Sequence, residues 1–282
     1  MKPAPFDYVR ARDMKDALSC LAQHGADARV IAGGQSLLPM LNMRLAKPAV
    51  LVDIMSIAGL DRVAREKDNL VVPAGIRQAA LLRRPELRAE APLLAAALPW
   101  LGHYQTRARG TVCGSVAHAD PSAEIPLCLV ALAGEVRLRS AKEKRSVKAA
   151  DFFAGMMVTD KADNEMIEAV VFPVAKPGQA FAFREVARRH GDFAIVGCAA
   201  VVEQDAMHLA VAGVADKPER RTWPRLTGSA LDDALNAFAW ELDAREDLHA
   251  SARLRRDLVR KLGREVLDEA AARTAHGHGS PR

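Results

Sequence analysis

The sequence predicts a mixed helix-and-strand protein, on three observations. Residues 13–54 alternate helix, strand, glycine turn, short helix and strand. Residues 70–173 mix short strands with helical stretches rich in Ala and Leu. Beyond Lys176-Pro177-Gly178 the strands come first and the helices last, in blocks rather than in alternation.

Asp13 opens the first helix as a candidate N-cap, and Gly25 lies just past its end at His24. Val30-Ile31-Ala32 is a short apolar strand that runs straight into Gly33-Gly34-Gln35-Ser36. Leu37–Leu45 returns to helix and Val50–Ile54 to strand. Another strand follows at 70–74. Gln78–Leu98 is helical with breaks at Pro85 and Pro92, which lack the amide a helix interior needs. Gly102 to Ala123 is a polar, glycine-bearing stretch. Glu124–Leu132 is helical, Glu135–Arg139 alternates as a strand does, and Glu165–Phe172 is a strand stopped by Pro173. The linker Lys176-Pro177-Gly178 precedes strands at Phe181–Val186, Gly197–Val202 and His208–Val211. Ser229–Leu242 and Ala250–Ala272 are helices. In the last of them Leu254, Leu258, Leu262 and Val266 recur every four residues, which marks a buried stripe with Arg and Glu outside.

Composition narrows the class of function. Of 282 residues half are apolar and 27% charged, the balance of a globular protein with a core. No apolar run approaches the ~18 residues of a spanning helix, so no membrane insertion is expected. Met1 to Phe6 lacks the apolar stretch of a signal peptide, which makes a cytoplasmic protein the expectation. The net charge of +5 invites a nucleic-acid reading. Basic residues alternate with acids, however, and two Tyr and three Trp offer little base stacking, so nucleic acid is set aside. Cys20, Cys113, Cys128 and Cys198 form no C-x-x-C pair and fit neither zinc nor iron–sulfur spacing. They are expected as free thiols. Any redox chemistry here therefore calls for an organic cofactor. His118 and Asp120 alone are too few for a metal site, and none is expected.

The chemistry-bearing segments are two glycine turns. In Ala32-Gly33-Gly34-Gln35-Ser36-Leu37 adjacent glycines permit positive φ and clear side chains from the backbone. Ser36 is placed to cap the next helix, whose first amides then face an anion such as a phosphate or pyrophosphate. On its own the pair equally describes a tight strand-to-helix turn without a ligand, and neither G-x-G-x-x-G nor a P-loop is present. The second turn, Arg109-Gly110-Thr111-Val112-Cys113-Gly114-Ser115, is again small and rich in amides. Two such turns could grip one diphosphate. Glu124 downstream could then accept hydrogen bonds from a ribose, and Ala117 and Ala119 would let a flat ring approach.

Taken together, these segments resemble the FAD-binding medium subunits of the xanthine dehydrogenase and carbon monoxide dehydrogenase family. The matching stretches are Ala32–Pro39 carried on to Asp53, Arg109–Glu124, Arg189–Val196, and His249–Arg253 with Arg255 and Arg256. They run in the family's order over nearly the whole chain. The resemblance implies two FAD-binding α+β subdomains of the vanillyl-alcohol-oxidase-like type, at 1–55 and 56–175. A small α+β domain of antiparallel strands and helices would follow at 176–275; the residues themselves predict a disordered tail at 276–282. The resemblance implies further that Ala32, Gly33, Gly34, Gln35, Ser36 and Leu37 line the pyrophosphate with Thr111, Cys113, Gly114 and Ser115. Ala117 would lie against the cofactor, Glu124 on its ribose side, and Ile167 and Arg184 near the flavin ring. Phe193 either covers one face of the isoalloxazine or is a core residue. Cys113 stands where the family usually has a glycine, so the turn must tolerate a Cβ there. Leu254 replaces a common Tyr.

The resemblance also implies that substrate oxidation occurs elsewhere, at a molybdenum cofactor on a large molybdopterin-binding subunit. Two 2Fe–2S clusters of a small subunit would feed this chain's FAD, in a dimer of heterotrimers, and a terminal electron acceptor would empty it. No catalytic acid–base pair or nucleophile is expected in this chain. Two alternatives stand beside this reading. One is a self-sufficient FAD-dependent oxidoreductase of the same fold, for which the residues after Lys176 are few. The other is a regulatory module that binds a nucleotide but no flavin.

Overall fold

A computed structural model describes residues 2–275. The N-terminal unit is a three-stranded sheet in the order β1-β3-β2 (β1 Asp7–Arg10, β2 Ala28–Ile31, β3 Val50–Asp53). Both pairings are parallel. Helix α1 (Met14–His24) crosses from β1 to β2 and buries Ala17, Leu18 and Leu21 against the sheet. Asp13 caps it, accepting from the Asp16 amide at 2.8 Å, and Gly25 ends it at φ +50°, as the sequence suggested. Helix α2 (Leu37–Asn42) is shorter than expected. All three parallel strands end on one edge, so Arg10, Ile31 and Asp53 deliver their following loops to the same side. In open parallel sheets this carboxyl edge is where ligands bind.

The middle unit is an antiparallel sheet, β4-β5-β10-β6-β7 (β4 Ala64–Glu66, β5 Asn69–Pro73, β6 Glu135–Arg139, β7 Lys144–Lys148, β10 Met166–Pro173). A hairpin, β8 (Phe153–Gly155) with β9 (Val158–Thr159), stands apart from it. Short helices cover the sheet: α3 (Gln78–Leu82), α4 (Leu87–Glu90), α5 (Pro92–Ala97), α6 (Tyr104–Arg109), α7 (Val112–His118), α8 (Glu124–Ala131) and α9 (Ala149–Phe152). Pro85 and Pro92 fall at the breaks they were expected to cause, Pro92 at the first turn of α5, where a missing amide costs nothing. Helix α8 is buried along its whole length, a consequence of the unbroken apolar run Ile125–Ala131.

The C-terminal unit is an antiparallel meander, β11-β12-β13-β14 (β11 Ala180–Val186, β12 Val196–Val202, β13 Ala206–Ala212, β14 Glu219–Pro224), with helices α10 (Gly228–Glu241) and α11 (Ala252–Ala275). Both faces of this sheet are buried. Ala182, Val196, Cys198, Leu209 and Val211 pack under the two helices. Phe181, Phe183, Ala199, Val201 and Ala210 belong instead to the core of the first two units. Burying each Phe contributes roughly 1.5–3 kcal/mol, so the third unit is fixed to the others by its sheet as well as by its linker.

The terminal stripe is rotated from the sequence expectation. Arg255, Val259, Leu262, Val266 and Ala270 face inward, while Leu254 is 44% exposed. A strict four-residue repeat overshoots the 3.6-residue turn, so its first member drifts off the buried face. The tail at 276–282 lies outside the described residues, and among those described no helix is long and apolar enough to cross a membrane.

Candidate functional site

The first glycine turn leaves β2 on the carboxyl edge of the parallel sheet. Gly34 has φ +69°, a conformation that side chains disfavour. Gly33 is needed for a different reason: a Cβ there would lie 2.3 Å from the Arg109 carbonyl oxygen and 2.6 Å from Gly110 Cα. The two glycine turns, remote in sequence, are thus in backbone contact. Ala32 to Leu37 are half-buried, and Gln35 Nε2 donates to the Gly33 carbonyl at 3.1 Å. The expected cap is absent. Ser36 already has helical angles (φ −99°, ψ −43°) and its hydroxyl makes no capping bond. An N-cap needs extended backbone to turn its oxygen onto the amides of the next turn.

The second segment is the start of a helix rather than a free loop. Thr111 is extended, and its Oγ1 accepts from the Gly114 amide at 3.0 Å, which caps α7. Cys113 is therefore helical and its Cβ meets no strain. Its side chain is buried, Sγ donates to the Val72 carbonyl at 3.3 Å, and burial pushes the thiol up to about 12. The other face of α7 is open: Gly114 and Ala117 are exposed and Ser115 is half-buried. Gln78 fastens this segment to α3. Its amide donates to the Gly110 carbonyl at 2.8 Å and its Nε2 to the Thr111 carbonyl at 3.3 Å. Its buried Oε1 has no protein partner.

Glu124 opens α8 and is 5% exposed. Burial first, then the nearby Glu185 carboxylate, push it up to about 8, against the pull of its own backbone amide and of Arg107. Glu185 is 8% exposed, neither of its carboxylate oxygens has a partner, and burial pushes it up to about 7.

Sequence reasoning selected Arg184 and passed over Glu185. On β11 the alternation decides between them. Phe181, Phe183 and Glu185 point toward the first two units, whereas Ala180, Ala182 and Arg184 point toward α11. Arg184 pairs there with Glu269 at 3.1 Å and Glu265 at 3.7 Å, so the structure does not bring it to the glycine turns. The parity of Phe181 and Phe183 was the signal that could have found Glu185. Ile167 sits in the core on β10 opposite Leu138, next to a β-bulge. Phe193 is 66% exposed, which removes its reading as a core residue.

Phe193 lies on the β11–β12 loop, which is pressed onto the middle unit. Gly191 has φ +88°, and a Cβ on it would stand 2.7 Å from the His103 ring. The His190 ring meets Trp100 edge-on at 5.0 Å. At the loop's base Arg255 donates to the Ile195 and Gly213 carbonyls, each at 2.6 Å, and to Asp247 at 2.6 Å.

Two mixed units whose glycine turns meet at a seam free of side chains have the form of a protein that holds a nucleotide cofactor. Comparison with known proteins gives the family. Residues 4–175 match the model of the FAD binding domain in molybdopterin dehydrogenase, and residues 181–270 that of the CO dehydrogenase flavoprotein C-terminal domain. The chain is 34% identical to the 6-hydroxypseudooxynicotine dehydrogenase complex subunit alpha of Paenarthrobacter nicotinovorans, over 97% of each chain. Among solved structures it resembles a chain of carbon monoxide dehydrogenase from Hydrogenophaga pseudoflava (TM-score 0.91, 30% identity, 96% of this chain and 99% of that one). A chain of quinoline 2-oxidoreductase from Pseudomonas putida 86 is comparable (TM-score 0.90, 31% identity, 96% and 99%). The chain belongs to the FAD-binding medium subunits of the molybdenum hydroxylases. The residues present fit that cofactor: a side-chain-free seam at Gly33 and Gly110, small residues on the open face of α7, and an orphaned acceptor on Gln78.

Proposed function

We propose that the joined turns, Ala32–Leu37 and Thr111–Ser115, hold the diphosphate of FAD, and that the chain works as the flavoprotein subunit of a molybdenum hydroxylase. The approach of Gly33 to Arg109 and Gly110 carries this reading, because it leaves room for backbone amides and for nothing bulkier at the seam. Gly114 and Ala117 give the cofactor a flat approach along α7, and Glu124 meets its ribose hydroxyls, where a partly protonated carboxyl can both accept and donate. Phe193, exposed on a loop that Gly191 and His190 tie to the middle unit, covers one face of the ring system. Ile167 contributes to the apolar wall behind it. Arg184 stays with the terminal helix as a structural ion pair. Bound FAD would supply two-electron acceptance and release, which no side chain here can provide.

Three units divided near residues 55 and 175 follow from this reading. So do a large molybdopterin-binding subunit, a small subunit with two 2Fe–2S clusters as electron source, a dimer of heterotrimers and a cytoplasmic location. Co-expression with those two subunits tests it. The expected product is a yellow-brown complex with one FAD per copy of this chain, released intact on denaturation. A folded chain that copurifies with neither subunit and takes up no FAD would refute the proposal.

A further inference from the structure

Glu185 is a buried acid without a partner: among the described residues nothing donates to either carboxylate oxygen. A carboxylate shut off from water in this way is costly, so it takes a proton or answers to a neighbouring group. The packing around it identifies that neighbour. On β12 the residue paired with Glu185 is Gly197, where a Cβ would lie 3.1 Å from Leu127 Cδ2 and 3.9 Å from Glu185 Cβ. The missing side chain lets α8 settle onto this end of β11. Leu127 follows Glu124 by three residues, so the two share one side of α8. Glu124 and Glu185 are therefore neighbours, and after burial itself Glu185 is the strongest influence that disfavours a charge on Glu124.

The other groups around the pair do not neutralise it. Asp120 adds to the repulsion, and burial keeps the Cys128 thiol on α8 protonated. Arg107 opposes them, but its guanidinium is engaged by the Leu101 and Gly102 carbonyls at 2.7 and 2.6 Å. Helix α5, packed on β11, adds the apolar Leu93, Leu94 and Ala97. Farther along the same sheet face stand His208 and Arg220, both acted on by Glu203. As the first residue of α8, Glu124 faces helix amides that would favour its charged form. Burial beside a second acid outweighs them.

We propose that Glu185 is a positioning residue for the cofactor: ionised beside Glu124, it keeps the proton on Glu124, which then donates a hydrogen bond to the ribose of FAD. The proposal rests on the flavoprotein reading above and deepens it. Two charged carboxylates there would repel each other and the diphosphate, whereas one neutral donor repels neither.

The test is FAD titration of the full chain, freed of cofactor, by equilibrium dialysis from about pH 6 to about pH 9. FAD keeps one charge across that range, so a slope reports the protein. Affinity is expected to be level below about 8 and to fall above it, by up to about tenfold per pH unit. Glu185→Gln removes the ionised neighbour, so the fall should begin about one pH unit lower, with affinity at the acid end unchanged. Glu124→Gln cannot ionise and should bind FAD equally at every pH. A wild-type affinity that does not vary with pH, or an unchanged onset in Glu185→Gln, overturns the proposal. So does a Glu185→Gln loss that is the same at every pH, which marks a structural role. A slope that survives in Glu124→Gln overturns it together with the ribose assignment. Infrared spectra of the wild-type chain need no variant to fold: the carbonyl band of a protonated carboxyl should persist near neutrality and fade above about 8. Its absence near neutrality overturns the proposal. A chain that takes up no FAD at any pH fails the flavoprotein reading instead, and the infrared band still decides whether Glu124 holds the proton.

Discussion

The two glycine segments do similar work by different means. The first is a true loop, held open by the positive φ of Gly34 and pressed onto its neighbour at Gly33, with no side chain capping the helix that follows. The second is a capped helix start, in which the Thr111 hydroxyl has already taken the Gly114 amide and Gln78 has pinned the strand-like lead-in. One segment gets its shape from the absence of side chains and the other from hydrogen bonds made by them. At Gly33 an added Cβ collides with backbone, which has no rotamer to relieve it, whereas at Gly114 it meets the Thr111 side chain first, at 2.7 Å.

Gly33→Ala is the change expected to do most. A methyl group 2.3 Å from a carbonyl oxygen cannot be accommodated unless the two turns separate. Overpacking of this kind costs about 1–3 kcal/mol, and the seam opens as it relaxes. FAD content should fall about tenfold or more in a chain that still folds, read as the 450 nm absorbance per chain together with the unfolding midpoint in urea. A Gly33→Ala chain with full FAD content would mean that the contact between the turns is not what holds the cofactor.

A second difference is electrostatic. The acids Glu124 and Glu185 lie on the side of the second segment, and both are raised from 4.5, to about 8 and about 7. The folded chain therefore holds more protons than the unfolded chain between those values. Stability contributed by these groups is complete below pH 4.5, declines as pH rises through the window, and is gone above about 8. The cofactor-free chain should unfold at a falling temperature from about pH 5 to about pH 8. Glu185→Gln, which cannot ionise, should flatten that slope. An identical slope in wild type and variant would show that the buried carboxyl does not titrate there.

Much of this was legible in the sequence where a local signal was strong. Asp13 and Gly25 bracket α1, Pro85 and Pro92 break the helical stretch, and the apolar run at 125–131 gives a buried helix. The elements that escaped notice lack such signals. Strand β7, Lys144–Lys148, carries only Val147 as an apolar residue, and β14, Glu219–Pro224, is held by its pairing to β13. Helix α7 was hidden by Gly114, a poor helix former that the Thr111 cap offsets. At the site, the turns could be read from glycine spacing, but their contact is a tertiary fact with no local trace. The choice between Arg184 and Glu185 turned on strand parity: a shift of one residue moves a side chain to the opposite face of the sheet.

The smallest effects separate the two segments most cleanly. Thr111→Ala removes the hydroxyl that caps α7, and losing an N-cap costs about 1 kcal/mol. The Gly114 amide it frees then becomes available to an anion, so the same variant should lose stability without losing FAD in proportion. Ser36→Ala removes a hydroxyl that caps nothing, and its cost to the cofactor-free chain should stay within about 0.5 kcal/mol. If the Ser36 hydroxyl serves the diphosphate instead, the cost appears only in FAD affinity. Urea unfolding of cofactor-free protein, set beside FAD titration of the same preparations, resolves the pair: Thr111→Ala should move the first measurement and Ser36→Ala the second. The opposite assignment would mean that Ser36 shapes the first turn through its side chain after all, and that both segments are built on the same principle.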